Sequence, residues 1–155
     1  MKNVIVILFT LILLSSCIFP VYTNPKIDKL IELAVDTLEV NNEKYTLDAF
    51  VWRDFMPGDI EDHSMYSVTT LTRVDSLAIP SDIQMIEQYV IQNLSIWEAE
   101  YLDRIDSLST FQIRRGSSGG PEWEIGSYVN VISKISDIDT CYYIIKENVE
   151  IIMTQ

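Results

Sequence analysis

An acidic segment near the middle of the chain carries its single histidine and groups residue types that bind metals. Asp59, Glu61 and His63 alternate along this segment, and Asp62 lies beside them. On an extended backbone the three alternating side chains would share one side, and carboxylate oxygens suit a hard cation such as calcium. The spacing therefore indicates a candidate divalent-cation site at Asp59, Glu61, Asp62 and His63.

Two other interpretations of this segment stay open. Met56, His63 and Met65 form a softer set of ligands, of the kind that suits copper. The EF-hand spacing is absent and there is no second histidine, so neither metal has a specific motif. In a chain with 23 acidic residues, an acidic loop is commonly a solvated surface. We therefore expect no resident cofactor and keep a divalent cation as the alternative.

Three arginines are candidates for binding an anion. Arg53 falls on the apolar row of a predicted strand, so its guanidinium points toward the core and needs a carboxylate. We predict a structural ion pair with Glu98, Glu100 or an acid of the following loop. Arg114 and Arg115 stand beside glycines in "RRGSSGGPEW", where we expect a mobile surface loop. Together they make a local basic spot that suits a carboxylate or a sugar acid.

Trp97 and Trp123 each adjoin glutamates, in "IWEAE" and "PEWEIG". Paired carboxylates serve glycosidases, but the sequence sets no distance between these acids. Tryptophans of a β-domain usually pack in the core, whereas exposed ones would favour carbohydrate binding. The single histidine suggests no Ser-His-Asp or Cys-His arrangement. We therefore predict no catalytic residue and no enzymatic activity, with a hydrolase as a minor alternative.

The elements that would position these residues are predicted to be strands from residue 36 onward. "YTLDAFVWRDF" and "SYVNVISKI" alternate apolar and polar residues, and turns are predicted at Asn41-Asn42 and within "SDIDT". These patterns predict an all-β, antiparallel β-sandwich of seven to nine strands, Ig-like in the broad sense. In "KIDKLIELAVDTL" apolar residues recur at helical spacing, so one short N-terminal helix is included as an ambiguous element.

The end of the chain is predicted to be a meander. "CYYIIK" and "VEIIMT" are strand-like, and the intervening Glu147-Asn148 is predicted to be a turn. Cys141 lies in the first of these apolar runs, so we expect a buried, inert thiol. The only other cysteine is Cys17, which leaves no basis for a disulfide framework.

The N-terminus has the features of an export signal. One lysine precedes an apolar run that is too short for a membrane-spanning helix, which needs about 20 residues. The ending "LSSC" at positions 14–17 resembles the bacterial lipobox, which implies cleavage before Cys17 and lipidation of its thiol. We predict a removed signal peptide at 1–16, a lipidated cysteine and tether at 17–25, and one β-sandwich domain at 26–155.

A wider resemblance supports the same assignment. "YTLDAFVWRDFMPG" and "GGPEWEIGSYVNV" resemble segments of small uncharacterised bacterial lipoproteins of Bacteroidetes-like type, which implies an outer-membrane lipoprotein and no known activity. No acid follows Cys17 closely, which favours the periplasmic side. In such bacteria, "DTL" and "DSL" tripeptides resemble O-glycosylation sequons, which would place glycans at Thr37, Ser76 and Ser107. Surface turns and strand ends are the equally open alternative.

Composition bounds the partners. The net charge of −12 argues against nucleic acid and against an anionic membrane surface. The membrane is expected as a partner through the lipid alone, and protein or carbohydrate as the bound partner. We predict a lipid-anchored cell-envelope protein that acts as a non-catalytic binding module of unknown ligand. The alternative is a metal-handling lipoprotein that uses the 59–65 loop.

Overall fold

The computed structural model describes residues 23–55, 63–102 and 109–154. Several residues named above lie outside these ranges, namely Cys17, Met56, Asp59, Glu61, Asp62 and Ser107. In the described ranges the chain forms one helix and nine strands. No helix among these residues has the length and apolar character needed to cross a bilayer.

The elements follow one another along the chain with short connections. They are α1 (Pro25–Leu33), β1 (Ala34–Val35), β2 (Thr37–Val40), β3 (Glu43–Asp54), β4 (Met65–Arg73), β5 (Ile83–Gln92), β6 (Ser95–Glu100), β7 (Gln112–Gly120), β8 (Tyr128–Asp137) and β9 (Thr140–Thr154). The predicted strands and the short N-terminal helix are therefore confirmed as a β-rich fold with one helix.

All nine strands belong to one mixed sheet. Its order is β6-β5-β8-β9-β3-β4-β7, with β1 paired to β9 and β2 paired to β3. The pairings of β9 with β1 and with β3 are parallel, and the others are antiparallel. The sheet curls into a half-barrel, so that the Leu102 N–H reaches the Gly116 carbonyl across 2.8 Å. This architecture differs from the expected wholly antiparallel sandwich.

The parallel pairings arise because β9 is one long strand. The predicted turn at Glu147-Asn148 is wrong: Asn148 has a φ of 55° and forms a bulge, not a chain reversal. Its backbone N–H donates to Asn130 Oδ1 at 3.1 Å, which satisfies the donor that the bulge removes from the ladder. The strand then continues, and its end pairs with β3 in the register Val51 to Ile151.

Two other sequence expectations have clear outcomes. The turn at Asn41-Asn42 is confirmed, because both residues have positive φ, of 52° and 65°, as a two-residue hairpin turn between β2 and β3 requires. The expected loop at "RRGSSGG" is wrong, since this stretch forms β7. Pairing with β4 satisfies the backbone groups of β7, and this compensates for the weak strand preference of its glycines.

The interior of the half-barrel contains two apolar clusters. The first core cluster contains Leu38, Val40, Tyr45, Leu47, Leu71, Ile83, Met85, Ile135 and Ile144. The second core cluster contains Val51, Met65, Val90, Val129, Val131, Val149 and Ile151. A polar layer of buried side chains lies between the clusters along the strands: Ser67, Thr69, Gln88, Ser117 and Ser133. Apolar packing therefore holds both ends of the interior, with hydrogen-bonding groups at its middle.

Helix α1 covers part of the outer face of the sheet. Asn24 caps it by accepting from the Lys26 N–H at 3.2 Å, and Pro25 occupies its first turn. Ile27 and Leu30 pack against an outer row of β5, β8 and β9 that includes Tyr89. One turn of the expected helical spacing thus places both buried residues on the same side.

Cys141 departs from the expected burial. It lies near the start of β9, paired in register with Ser136, and its side chain is exposed. The expectation of a buried thiol is therefore wrong. The apolar run around Cys141 is half solvent-facing here, because only alternate residues of the strand, such as Ile144, reach the interior.

Strand β7 requires glycine at its end because a tryptophan of β6 lies against it. A Cβ on Gly120 would stand 2.7 Å from the nearest ring carbon of Trp97. We predict that Gly120→Ala lowers the free energy of unfolding by about 1–3 kcal/mol, measured by urea denaturation. In a Trp97→Leu background the same substitution should cost less than half as much, since the ring is gone. Equal costs in both backgrounds would contradict this packing.

Candidate ligand-binding cavity

A cavity of about 450 Å³ opens in the wall of the half-barrel between β5 and β7. Its size falls within the range of small-molecule sites, roughly 300 to 1,000 Å³. Strand β6 pairs only with the Glu87–Gln92 part of β5, so the first residues of β5 have no neighbour on that side. The cavity lies at this gap and is lined by Ala78, Ile79, Pro80, Ser81, Ile83, Gln84, Ser109, Thr110, Gln112, Ile113 and Arg115.

One wall of the cavity is the connection between β4 and β5, and Arg73 holds it in place. The guanidinium contacts Glu43 at 2.7 Å and Asp75 at 2.8 Å, and it donates to the Ala78 carbonyl at 2.9 Å. Three acceptors thus satisfy an arginine whose side chain is only 10% exposed. This arrangement fixes the backbone that leads to Ile79.

The opposite wall is the approach to β7, and hydrogen bonds join it to the first. The Ile79 N–H donates to the Thr110 carbonyl at 2.9 Å, and the Arg73 N–H donates to the Phe111 carbonyl at 3.0 Å. Gln112 also donates to Thr72 on β4 at 3.2 Å. Both walls are therefore tied to β4, which gives the cavity a preformed shape.

The floor of the cavity is apolar. Ile83 belongs to the first core cluster, and Ile79 and Ile113 pack against it. Ile113 reaches the interior because it pairs with Leu71, an inner residue of β4. The rim carries hydroxyl and amide groups, including Ser81, Ser109 and Gln84. An apolar floor with a few polar groups at its edge is the usual composition of a small-molecule site.

Arg115 is the only charged residue in the described lining. It pairs in register with the buried Thr69 of β4, so it lies on the inner row of β7. Arg114, one position earlier, lies on the opposite face of the sheet. The two arginines that the sequence grouped as one basic spot are therefore separated by the sheet, and only Arg115 lines the cavity.

Tyr101 lies in the interior beside this site, within the polar layer. Its hydroxyl donates to Ser133 at 2.8 Å and accepts from Thr69 at 2.9 Å. Burial raises the pKa of Tyr101 to about 12, and hydrogen bonding and the positive charge of Arg115 act against this rise. The phenol therefore stays protonated and serves as a donor across the physiological pH range.

Gln88 leaves one polar atom of the layer unsatisfied. Its Oε1 accepts from Ser67 at 3.0 Å, whereas its Nε2 is buried and has no hydrogen-bond partner among the described residues. A buried amide without a partner costs about 1–3 kcal/mol, so a water molecule is the expected partner at this position.

Arg53 forms the predicted ion pair, but with a different acid. Its Nη2 lies 3.0 Å from Glu122 Oε2, and the partner is thus neither Glu98 nor Glu100. Its Nε and Nη1 donate to the carbonyls of His63 and Trp123, at 2.9 and 3.2 Å. The expectation missed Glu122 because that acid comes from the connection between β7 and β8, about 70 residues along the chain.

The two tryptophans of the sequence analysis both contact the second core cluster. Trp97 and Trp123 are partly buried and pack against its inner residues. The exposed aromatic surface lies elsewhere, on the outer face of β3 and β4, where Phe50, Trp52 and Tyr66 form a ladder with centroids 5.3 and 5.6 Å apart. Alternation along β3 contains the signal for this ladder, because Phe50 and Trp52 fall on the row opposite Val51.

The metal hypothesis remains a prediction. Asp59, Glu61 and Asp62 lie outside the described residues, and no set of three potential ligands forms a cluster within them. The ring of His63 stacks on Phe55 at 4.6 Å, and its Nδ1 lies 3.2 Å from the Asp54 carbonyl. Met65, the other ligand of the softer set, is buried in the second core cluster.

The candidate glycosylation positions are exposed where they are described. Thr37 lies on β2, and Ser76 lies in the turn after β4 with a φ of 60°. Both hydroxyl-bearing residues are thus on the surface, as either surface turns or sequons would require. Glycosylation stays a prediction.

Comparison of the chain with protein-family models, with curated proteins and with solved structures found no match. The argument for a site therefore depends on the geometry of the cavity. Sequence reasoning found Arg115 but missed the connection that contains Ile79 and Pro80. The only signal in that stretch was "AIPSD", an apolar pair ahead of a turn, which does not by itself indicate a cavity wall.

The wall that contains Ala78 should weaken in acid. The pKa of Asp75 is held below its ordinary value of 3.8 by the hydrogen bond from Arg73 and then by the Leu77 N–H. A carboxylate with a lowered folded-state pKa stabilises the fold above its unfolded value, and that stabilisation is lost as the pH falls. We predict that Asp75→Asn destabilises the protein near pH 7 and that the difference narrows at about pH 3.

Urea denaturation at both pH values provides the measurement. Asp82→Asn is the matched control, because Asp82 is exposed at the start of the same wall's exit into β5. This control should change stability little at either pH. A destabilisation by Asp75→Asn that is equally large in acid would contradict the assigned role of the ion pair.

Proposed function

We propose that this protein is a lipid-anchored module of the bacterial cell envelope that binds a small molecule in the cavity between β5 and β7 without catalysis. The observation that carries the binding function is the preformed cavity, with an apolar floor and one cationic side chain. Its walls are tied together by backbone hydrogen bonds, so a ligand would lose little binding energy to reorganisation.

The lining supports binding rather than chemistry. The described lining residues comprise aliphatic side chains, hydroxyls, two glutamines and Arg115, with no acid, histidine or cysteine. General acid-base catalysis uses a side chain that can exchange a proton near the working pH. Hydroxyls and an arginine orient and hold a ligand instead, which is the role expected of a binding protein.

The envelope location is supported by the sequence pattern at the N-terminus. The lipobox-like "LSSC" would place a lipid on Cys17 and leave a periplasm-facing domain at the outer membrane. The helix cap Asn24 follows Cys17 by seven positions, a span of at most about 25 Å in an extended chain. The cavity would thus be held close to the membrane surface, next to ligands concentrated there.

Blocking the mouth of the cavity tests the binding function. Ser81 is exposed at the rim, so Ser81→Trp should place an indole over the opening. We predict that 1-hexanol causes saturable amide NMR shifts at Ile79, Ile83 and Ile113, and that Ser81→Trp weakens this binding at least about tenfold.

Ser95→Trp is the matched control for the blocking experiment. Ser95 is likewise exposed, but it lies at the start of β6 and away from the lining. Binding of 1-hexanol should be unchanged in this variant. Shifts that arise outside the cavity, or that survive Ser81→Trp, would contradict the assigned site.

Lipidation of Cys17 is tested separately. We predict that the full-length chain, expressed in a Gram-negative host with an alkyne-labelled fatty acid, carries the label and sediments with membranes. Cys17→Ser should lose both properties, because its hydroxyl cannot replace the thiol in lipoprotein processing. Cys141→Ser is the control and should keep both. An unlabelled wild-type chain would exclude the anchor.

A further inference from the structure

We infer that the cavity selects organic anions, with the carboxylate of the ligand held by Arg115 and its aliphatic part on the isoleucine floor. This inference rests on the proposed function, since it names the class of ligand for the same site. It assigns Arg115 a role that its sequence neighbour Arg114 does not share.

The register of the sheet places the guanidinium inside. Arg115 pairs with Thr69, and Ile113 pairs with Leu71, both of which are fully buried inner residues of β4. Ser117 continues the same inner row and donates to the Glu100 carbonyl at 2.9 Å. The side chain of Arg115 therefore emerges at the inner edge of the cavity, beside the polar layer, and not on the outer surface.

Arg115 has no anionic partner in the described part of the chain. The other inner arginines, Arg53 and Arg73, each contact carboxylates at 3.0 Å or less. No ion pair and no hydrogen bond joins Arg115 to a described residue, although it is partly buried. A partly buried guanidinium without a partner is unfavourable, and a ligand carboxylate would offset that cost.

The surroundings of Arg115 avoid negative charge. The chain has 23 acidic residues, yet none of the described lining residues is an aspartate or a glutamate. In a protein of net charge −12, an acid-free cavity around one arginine is a local reversal of sign. Such a site favours an anion over a neutral or cationic analogue, and the planar guanidinium suits the two oxygens of a carboxylate.

The rest of the cavity suits an aliphatic group. The isoleucines of the floor, Ile79, Ile83 and Ile113, offer no hydrogen bond, so polar extensions of a ligand would be left unpaired there. The polar rim residues Ser81 and Thr110 lie at the solvent side. A short amphipathic acid therefore matches the site better than a polyhydroxylated sugar acid does.

A comparison of matched ligands tests the inference on the full chain. Hexanoate, 1-hexanol and hexylamine share one aliphatic chain and differ in charge at the head group. We expect hexanoate to bind about tenfold or more tightly than 1-hexanol by NMR titration, and hexylamine to bind more weakly than both. Arg115→Gln should remove the preference for hexanoate while 1-hexanol still binds.

Arg114→Gln provides the control, because it removes the same charge from the opposite face of the sheet. It should leave the preference for hexanoate unchanged, whereas a general effect of net charge would lower it in both variants. Equal binding of hexanoate and 1-hexanol in the cavity would overturn the inference and leave the proposed function standing. Absence of cavity shifts with all three compounds would overturn both.

Discussion

One buried phenol hydroxyl connects strands that the sheet itself keeps apart. Tyr101 donates to Ser133 on β8 and accepts from Thr69 on β4, and two strands, β9 and β3, separate these in the sheet order. A buried hydroxyl requires such partners, because leaving it unpaired costs about 1–3 kcal/mol. The residue that follows β6 must therefore enter the interior, and this brings the ends of β6 and β7 together. The wall closes at that point and stays open beside it, where the cavity lies.

The cavity and the core follow from the same arrangement. The inner row of β4 passes from Met65 through Ser67 and Thr69 to Leu71, so apolar, polar and apolar layers succeed one another along a single strand. Arg115 stands next to the polar layer because it pairs with Thr69. The cation is thus placed between hydrogen-bonding groups on one side and isoleucines on the other, which is the polarity of an amphipathic acid.

Local patterns predicted the elements well and their arrangement poorly. The positive φ values of Asn41 and Asn42 follow from the residue type, and the inner row of β3 follows from alternation, so both were predictable. The partner of Arg53 was not, because Glu122 is distant in sequence and only the tertiary fold brings it near. For the same reason the sequence grouped Arg114 with Arg115, although a period of two already implies opposite faces.

The long last strand explains the remaining difference. Nothing in "CYYIIKENVEIIMT" distinguishes a hairpin from one bulged strand, because Asn148 suits the left-handed backbone of either. The choice is made by pairing partners: β8 occupies one edge of β9, and β1 and β3 occupy the other. The parallel pairs of the mixed sheet are therefore a tertiary property of the fold, absent from any short window of sequence.

The position of β9 also governs when the molecule can be completed. The pairing of Val51 with Ile151 joins residues that lie 100 positions apart, and this ladder alone connects the β6-β5-β8 part of the sheet to β4 and β7. Contacts of such long range form slowly, because the intervening chain must first be closed into a loop. The ribosome therefore releases most of this domain before its halves can join, and the nascent chain remains unfinished, and open to chaperones, until its final strand emerges.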